Sequence, residues 1–396
     1  MSIKPPTRRQ RYSNYLQRVD APYYLIIGSL MFLSGLGIIM VLSASSVLSL
    51  QQSGSTYSIF IKQVLFFVIS VISVLLLSHW KSSVWGVITK YSWILSFLAL
   101  CLPLVPGLKL TVNGNTNWIH FSGITMQPSE FAKVGLILWS ARQLKKYDET
   151  TKNRSAFRHI SFVFSGTLPL LVLILKGGDL GTTVIILGIV AIMLFVSGLP
   201  IRHFLMIGGV ALLGVVGLVA IAPYRLHRFA AVINPFAPSV YKLAGWQPAH
   251  SVMGLASGGI FGVGLGASRQ KWGNLSEAHT DFIFSVIGEE LGLLGTLLVL
   301  LLYTALIYGI FRTAIQTHDL FSRYACAGFG AWIMMQVIIN VGSDIGVLPV
   351  VGVTLPFISY GGSSLIANFL GVGFVLNVLR NDSRVIGAIN ARKNRQ

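Results

Sequence analysis

Two acids and a histidine lie close together in the stretch NLSEAHTDF, residues 274–282. Glu277, His279 and Asp281 come directly before a long apolar run. If a helix begins near Ser276, the four-residue spacing puts Glu277 and Asp281 on one helix face. Each acid then raises the pKa of the other, and burial beside apolar residues acts in the same direction. The pattern predicts a carboxylate that accepts a proton near neutral pH, as a general base does.

Asp281 is the strongest candidate for this catalytic role, because three apolar residues follow it and an ionisable group at membrane depth is costly. For Glu277, capping of the helix start is an equally good interpretation. His279 would tune Asp281 or bind a sugar hydroxyl, although a lone histidine is weak support. The three side chains together could hold a metal ion, but their spacing matches no known metal motif.

Two further acids, Glu289 and Glu290, lie about two turns into the apolar run. An ion pair with Lys or Arg of a neighbouring helix is the favoured interpretation. The alternative is that they line a polar cavity inside the membrane.

The elements that hold these residues follow from composition. Of the 396 residues, 54% are hydrophobic and 11% are charged, whereas soluble domains carry about 25% charged residues. Continuous apolar runs of about twenty residues predict membrane helices and exclude an alternating β-barrel. We therefore expect an all-α polytopic membrane protein. Its ten predicted spans are 23–47, 58–78, 84–105, 128–143, 161–177, 180–199, 205–222, 281–310, 323–343 and 359–379.

The net charge of +18 is distributed unevenly along the chain. Basic residues concentrate in the N-terminal segment 1–22, in the loop near 142–158 and in the tail 380–396. With ten spans, all three fall on one side of the membrane domain 23–379, which the positive-inside rule identifies as the cytoplasm. Anionic membrane lipids are therefore expected partners, and nucleic acid is not. The first apolar run is expected to be an uncleaved anchor rather than a secretion signal.

A long loop, residues 223–280, is predicted on the outer side before span eight. Its glycine-rich stretch 251–266 is too short and too interrupted for a span, so we expect a re-entrant or interfacial element. Cations in this loop oppose the charge rule. They are either solvated or form an anion site for a phosphate or diphosphate group. The best candidates for such a site are Arg269 and Lys271, which lie a few residues from the acids of NLSEAHTDF, with Arg228 of the same loop as a further cation.

Other polar motifs share this predicted outer side. NGNTNWIHF (113–121) offers amides and an aromatic ring, Trp118, to a sugar, although a polar interface loop looks the same. QPSEFAK (127–133) places Glu130 and Lys133 three apart, where they could pair on one helix face. The stretch LPFISYGGSS could bring its backbone close to a phosphate or a sugar, or could only serve helix packing. Its candidate binding residues are Ser359, Tyr360, Gly361, Gly362 and Ser363.

Taken in order, EAHTDFIFSVIGEELG, LPFISYGGSS, QPSEFAK, GDLGTT and GGIFGVGLGASRQKWG resemble the SEDS family of bacterial envelope proteins (shape, elongation, division and sporulation). The resemblance covers nearly the whole chain, and two of the motifs are more like the division members than the elongation members. It departs from the family at Ser276, where a proline is usual, at the Gly177–Gly178 turn, and at Asp344, to which no role can be assigned.

The resemblance implies a peptidoglycan glycosyltransferase that polymerises lipid II on the outer face of the bacterial cytoplasmic membrane, at the division septum. It implies Asp281 as the essential residue, and partnership with a class B penicillin-binding protein transpeptidase and other division proteins. No cofactor is certain, although a divalent cation such as Mg²⁺ or Mn²⁺ is possible beside the leaving diphosphate. A lipid II flippase and a noncatalytic division scaffold are the alternatives.

Overall fold

The computed structural model describes residues 18–112, 115–121, 124–150, 155–220 and 223–393. Parts of the basic regions predicted to face the cytoplasm lie outside the described residues. These parts are residues 1–17, Lys152 and Arg154 of the loop near 142–158, and the last three residues of the tail.

The described chain is built mainly from helices. Their bounds are α1 Ala21–Ser53, α2 Ser58–Ser78, α3 Ser82–Cys101, α4 Pro128–Thr150, α5 Ala156–Lys176, α6 Leu180–Val196, α7 Ile201–Ala220, α8 Pro223–Ile233, α9 Pro238–Tyr241, α10 Trp246–Ser257, α11 Ile283–Gln316, α12 Leu320–Asp344, α13 Gly362–Arg380 and α14 Ser383–Lys393.

Each of the ten predicted spans overlaps one of the helices α1 to α7 and α11 to α13. In the described residues, seven of these helices are long and apolar enough to cross a membrane. The other three are α4, whose C-terminal half is charged, α6, which has 17 residues, and α7. The polytopic helical membrane fold is thus confirmed. The count of ten spans and their orientation remain predictions.

A small antiparallel sheet follows α3, where the sequence indicated only a polar loop. Its strands are β1 Lys109–Val112, β2 Asn115–Phe121 and β3 Ile124–Met126, with β2 in the centre. The backbone N–H of Thr116 donates to the Gly177 carbonyl across 2.9 Å, which ties the sheet to the turn between α5 and α6.

The centre of the bundle is formed by α12, α13 and the first part of α4. Most residues of α12 and α13 are buried, and large side chains such as Trp332, Phe329 and Phe374 fill the space between them. The peripheral helices α2 and α7 instead expose many Leu, Ile and Val side chains, which suits contact with lipid.

Helix α11 is interrupted at Gly292, whose φ of 68° and ψ of −166° are not helical. The glycine-rich stretch after α10 packs against this break and bonds to its free backbone groups. Val263 N–H donates to the Glu289 carbonyl (2.9 Å), and Leu293 N–H donates to the Gly259 carbonyl (2.9 Å). A β-carbon at Gly262 would lie 2.1 Å from the Glu290 carbonyl oxygen, so only glycine permits this approach. The stretch has the protein contacts that non-helical backbone at membrane depth requires.

Candidate functional site

The segment that carries Asp281 is a turn rather than the first turn of a helix. Helix α11 begins at Ile283, and Glu277 has a left-handed backbone with φ of 59°. The expectation that a helix from Ser276 stacks Glu277 and Asp281 on one face is therefore wrong. The N–H groups of Thr280 and Phe282 both donate to the Glu277 carbonyl, at 3.1 Å and 3.3 Å, which closes the turn.

Three consecutive carbonyl groups of this turn accept hydrogen bonds from other parts of the chain. The His279 carbonyl accepts from Tyr360 N–H (2.9 Å). The Thr280 carbonyl accepts from the Ser359 hydroxyl (2.6 Å). The Asp281 carbonyl accepts from the Asn340 side-chain amide (2.6 Å). Because these acceptors are bonded to distant donors, the turn is held in place outside the helix, and Asp281 is positioned by its own backbone.

Asp281 is a half-buried residue, and its carboxyl group lies beside Gly352, where a β-carbon would be 3.6 Å from Oδ2. Within the described residues, no side-chain or backbone donor occupies this carboxyl group. Burial raises its pKa to about 7, the negative charge of Glu277 acts in the same direction, and the Arg228 guanidinium opposes both. A carboxyl group with this pKa is partly ionised at neutral pH and is suited to accept a proton.

Arg228 is the one of the three predicted loop cations whose charge acts on Asp281. It is exposed on α8, and its Nη1 donates to the Val350 carbonyl across 3.1 Å. A guanidinium has five N–H donors, so the rest of the group can bind an anion beside the carboxylate.

His279 of the turn lies beside two predicted binding residues, Ser359 and Tyr360. The His279 and Tyr360 rings are 5.4 Å apart between centroids. Burial lowers the pKa of His279, although Glu277 acts in the opposite direction, so the ring favours its neutral form. The Ser359 hydroxyl also accepts from Leu355 N–H (2.8 Å), so its contacts position the backbone.

The rest of the LPFISYGGSS motif contacts protein groups. Gly361 N–H donates to the Gln63 side chain (3.4 Å), and the Ser363 hydroxyl accepts from Gln127 N–H (3.3 Å). A β-carbon at Gly362 would lie 2.6 Å from the Phe66 ring, so Gly362 allows α13 to pack against α2. These contacts fit the packing interpretation of the motif.

Lys271 is placed in a buried ion pair instead of an open anion site. Its Nζ lies 3.5 Å from Oε1 of Glu290 and donates to the Gly266 carbonyl (2.5 Å). The Ser43 hydroxyl also donates to Glu290, at 2.6 Å from Oε1. The expected pairing of Glu290 with a cation is confirmed, but the cation comes from the loop before the Asp281 turn and not from a neighbouring membrane helix. The ammonium of Lys271 is thus engaged with protein groups.

The Glu289 carboxylate is hydrogen-bonded to the loop that precedes the Asp281 turn. It accepts from the N–H groups of Arg269 (3.0 Å) and Gln270 (3.4 Å) and from the Ser268 hydroxyl. No cation pairs with it in the described chain. The Arg269 side chain itself is exposed and makes no hydrogen bond or ion pair with the described residues, so its guanidinium is available to an anion.

The predicted ion pair between Glu130 and Lys133 is confirmed, with 2.8 Å between Nζ and Oε1. Both side chains are buried, and the ammonium lies 4.8 Å from the centroid of a Trp332 ring. This pair therefore lies within the bundle. Trp118 lies on the sheet, half-buried, where it pairs in register with Leu110.

Sequence patterns did not point to Asn340 or to a role for Asp344. Asn340 Nδ2 bonds to the carbonyls of both Asp281 and Val353, at 2.6 Å and 2.8 Å. Oδ2 of Asp344 accepts from Ser285 N–H (3.2 Å), so this buried acid caps the start of α11 from another helix. It is also close enough to Asp281 for the two charges to interact. No sequence signal could have revealed either contact, because the partners lie 59 positions apart.

The fold and the site define a multi-pass helical membrane protein that holds one perturbed carboxyl group in an anchored turn at the end of its bundle. A profile of the cell cycle protein family that groups FtsW, RodA and SpoVE matches residues 23–384. The chain belongs to this family, the SEDS family that its motifs indicated.

Several relatives cover almost the whole chain. The stage V sporulation protein E of Bacillus subtilis is 38% identical over 91% of this chain and 97% of its own. A probable peptidoglycan glycosyltransferase FtsW of Coxiella burnetii is 37% identical over 90% and 95%.

Solved structures show the same fold. A chain from a study of polymerization and crosslinking by a peptidoglycan synthase complex has a TM-score of 0.72 and 28% identity, covering 90% of this chain and 98% of its own. The rod shape determining protein RodA of Thermus thermophilus has a TM-score of 0.63 and 27% identity, covering 91% and 98%.

Proposed function

We propose that the protein is a peptidoglycan glycosyltransferase of cell division, which polymerises lipid II with Asp281 as its general base. The observation that carries this proposal is the Asp281 carboxyl group itself. It has a pKa of about 7, accepts no hydrogen bond from the described residues, and is held by a turn whose three carbonyls are bonded to distant donors. Relatives that are at least 34% identical over most of the chain bear the name peptidoglycan glycosyltransferase FtsW.

The geometry supports a direct displacement. Asp281 accepts the proton of the acceptor sugar hydroxyl as that oxygen forms a bond to the anomeric carbon of the donor. The bond from this carbon to the lipid diphosphate breaks, and the diphosphate leaves with the electron pair. Proton removal by a positioned base contributes typically 10²- to 10⁴-fold to such a rate.

The departing diphosphate needs positive charge where negative charge develops. Arg228 acts electrostatically on Asp281 and has free donors, and the exposed Arg269 offers a second guanidinium.

In the described residues, no group of three or more acidic, His or Cys side chains is arranged to hold a metal ion. A divalent cation would be held by Glu277 together with the substrate diphosphate, which is a common arrangement for Mg²⁺. Its chemistry would be to neutralise charge on the leaving group.

Charge placement supports an outward-facing site. Helix α13 starts just after Tyr360, whose N–H donates to the His279 carbonyl of the Asp281 turn, and the Gln127–Ser363 contact joins the start of α4 to the start of α13. The two helices end in the basic loop near 142–158 and in the basic tail. The positive-inside rule puts those basic ends in the cytoplasm. Asp281 then lies at the outer surface, where lipid-linked substrates are polymerised.

A partner and a location follow as part of the proposal. A chain of the same fold comes from a peptidoglycan synthase complex that couples polymerization with crosslinking. We expect a class B penicillin-binding protein transpeptidase to bind this chain, at the division septum of the bacterial cytoplasmic membrane.

The test is glycan synthesis by the purified full chain supplied with lipid II, with and without its transpeptidase partner. Formation of glycan chains from lipid II already on the accessible side supports the proposal. Movement of lipid II between leaflets without chain formation would assign the protein to the flippases instead. Growth that continues with an inactive site would assign it a scaffolding role.

A further inference from the structure

A second site lies at the end of the bundle opposite to Asp281. A cavity of about 1060 Å³ is lined there by the last residues of α4 and α13, the connection between α11 and α12, and the start of α3. Helix α11 begins beside Asp281 and reaches this cavity after 34 residues, about 50 Å of helix. The cavity is therefore separate from the proposed catalytic site.

Two cations of the cavity wall have no partner in the part of the chain that the structure describes. Arg142 and Lys146 are one turn apart on α4, and both side chains are exposed. Residues spaced by four lie on the same helix face. The pair therefore presents two adjacent positive charges to the cavity.

The lining contains three acids, and each lies close to a cation. Glu149 is 4.0 Å from Lys145 Nζ. Asp319 accepts from Lys145 Nζ at 3.0 Å, and Asp382 lies 2.7 Å from Nη2 of Arg384. Burial alone would raise the pKa of Asp319, but hydrogen bonds from Ser322 and the contact with Lys145 lower it below its usual value. Hydrogen bonding to Arg384 lowers the pKa of Asp382. Asp319 and Asp382 are thus both ionised, and each is neutralised by a neighbouring cation.

Aromatic side chains of α3, α12 and α13 also line the cavity. Trp85 and Phe374 meet edge to face with 4.8 Å between ring centroids, and Phe321 lies 5.8 Å from Phe374. The Trp85 indole N–H donates to the Asn377 side chain (3.0 Å), which fixes the ring. The cavity therefore combines apolar side chains with positively charged ones. A matching ligand carries both an anionic group and an apolar part.

We propose that this cavity binds the phosphate headgroup of an anionic phospholipid, with Arg142 and Lys146 on the phosphate and the apolar part of the lipid against Trp85 and Phe374. Basic pockets between membrane helices recognise headgroups by such charge-assisted contacts. By the charge rule used above, this end faces the cytoplasm, where anionic lipids of the inner leaflet can enter.

The experiment measures stabilisation of the purified full chain in neutral detergent. The midpoint of thermal unfolding is followed while phosphatidylglycerol, phosphatidylcholine or inorganic phosphate is titrated. We expect phosphatidylglycerol to raise the midpoint at concentrations where phosphatidylcholine does not. The double variant Arg142→Gln/Lys146→Gln should bind phosphatidylglycerol about thirtyfold more weakly. This factor corresponds to a loss of about 2 kcal/mol at 1.4 kcal/mol per tenfold change, or about 1 kcal/mol for each cation removed.

A matched control removes the same charge from the same end of the molecule. Lys81 and Arg158 are exposed there and do not line the cavity. The double variant Lys81→Gln/Arg158→Gln should keep the response to phosphatidylglycerol. Equal losses in the two double variants would show nonspecific attraction to charge and would overturn the proposal.

A third variant blocks the cavity while leaving every charge in place. Gly86 lines the cavity, and a β-carbon there would have no atom within 4 Å. Gly86→Phe should therefore fold and lose the response to phosphatidylglycerol. Retention of the full response would overturn the proposal. Equal stabilisation by inorganic phosphate alone would also overturn the lipid assignment and identify a soluble phosphate ligand.

Discussion

Asn340 on α12 donates one hydrogen bond to the Asp281 carbonyl (2.6 Å) and another to the Val353 carbonyl (2.8 Å). One side chain thus joins the turn of the proposed base to the segment that carries Gly352, which lies against the Asp281 carboxyl group. Asn340 touches backbone only, so its role in the proposed reaction is to position Asp281.

Replacement of Asn340 by Ala should lower the turnover number about tenfold, because two buried hydrogen bonds that fix the turn are lost. The Michaelis constant for lipid II should change little, since no binding group is removed. Steady-state kinetics of glycan synthesis separates the two constants.

Asn368 provides the control for this prediction. It is equally buried, but its amide bonds only to Ser364 within α13. Asn368→Ala should keep the native turnover number. A tenfold loss in both variants would mean that turnover reflects general packing instead of the position of Asp281.

The rate should depend on the ionisation of Asp281. Its pKa of about 7 means that the carboxylate form predominates only above neutral pH, so the rate should fall as pH decreases through this value. Glu277→Gln removes a charge that raises this pKa and should move the midpoint to lower pH. Arg228→Gln removes a charge that lowers it and should move the midpoint to higher pH. Initial rates between pH 5 and about 9 measure all three profiles; midpoints that stay fixed in both variants would contradict the electrostatics.

Lys271 should have a structural role, whereas Arg269 should take part in substrate binding. Lys271→Met leaves the buried Glu290 without its cation and should lower the free energy of unfolding by about 3 kcal/mol. The double variant Lys271→Met/Glu290→Gln should regain part of this loss. Arg269→Ala, at an exposed side chain, should leave stability unchanged and weaken substrate binding. Denaturant unfolding and substrate affinity are the two measurements. If Lys271→Met is as stable as the native protein but binds substrate weakly, Lys271 belongs to the anion site and the structural assignment is wrong.

The helices of the bundle were predictable because burial in lipid demands long apolar runs and self-satisfied backbone. Every predicted span overlaps a helix, and α2 has the predicted bounds 58–78. The three-stranded sheet was missed, because its polar residues around Trp118 do not alternate with apolar ones in a clear pattern.

The local structure of the site was less accessible to sequence reasoning. An acid directly before a long apolar run identifies Asp281 as a candidate from the sequence. The predicted helix start near Ser276 is too early, because α11 begins at Ile283. The turn remains non-helical because donors from Asn340, Ser359 and Tyr360 bind its carbonyls. Propensity and periodicity carry no information about partners that lie 59 or more positions away, which is why tertiary contacts override them.

The most direct measurement compares glycan chain formation from lipid II by the native protein, by Asp281→Asn and by Glu277→Gln, each purified together with its transpeptidase partner. Asn has nearly the shape of Asp but accepts no proton at neutral pH. The Asp281→Asn protein should unfold at the native temperature and form no glycan above background, while Glu277→Gln remains active at pH 7. Glycan synthesis by Asp281→Asn at the native rate would contradict the assignment of Asp281 as the base.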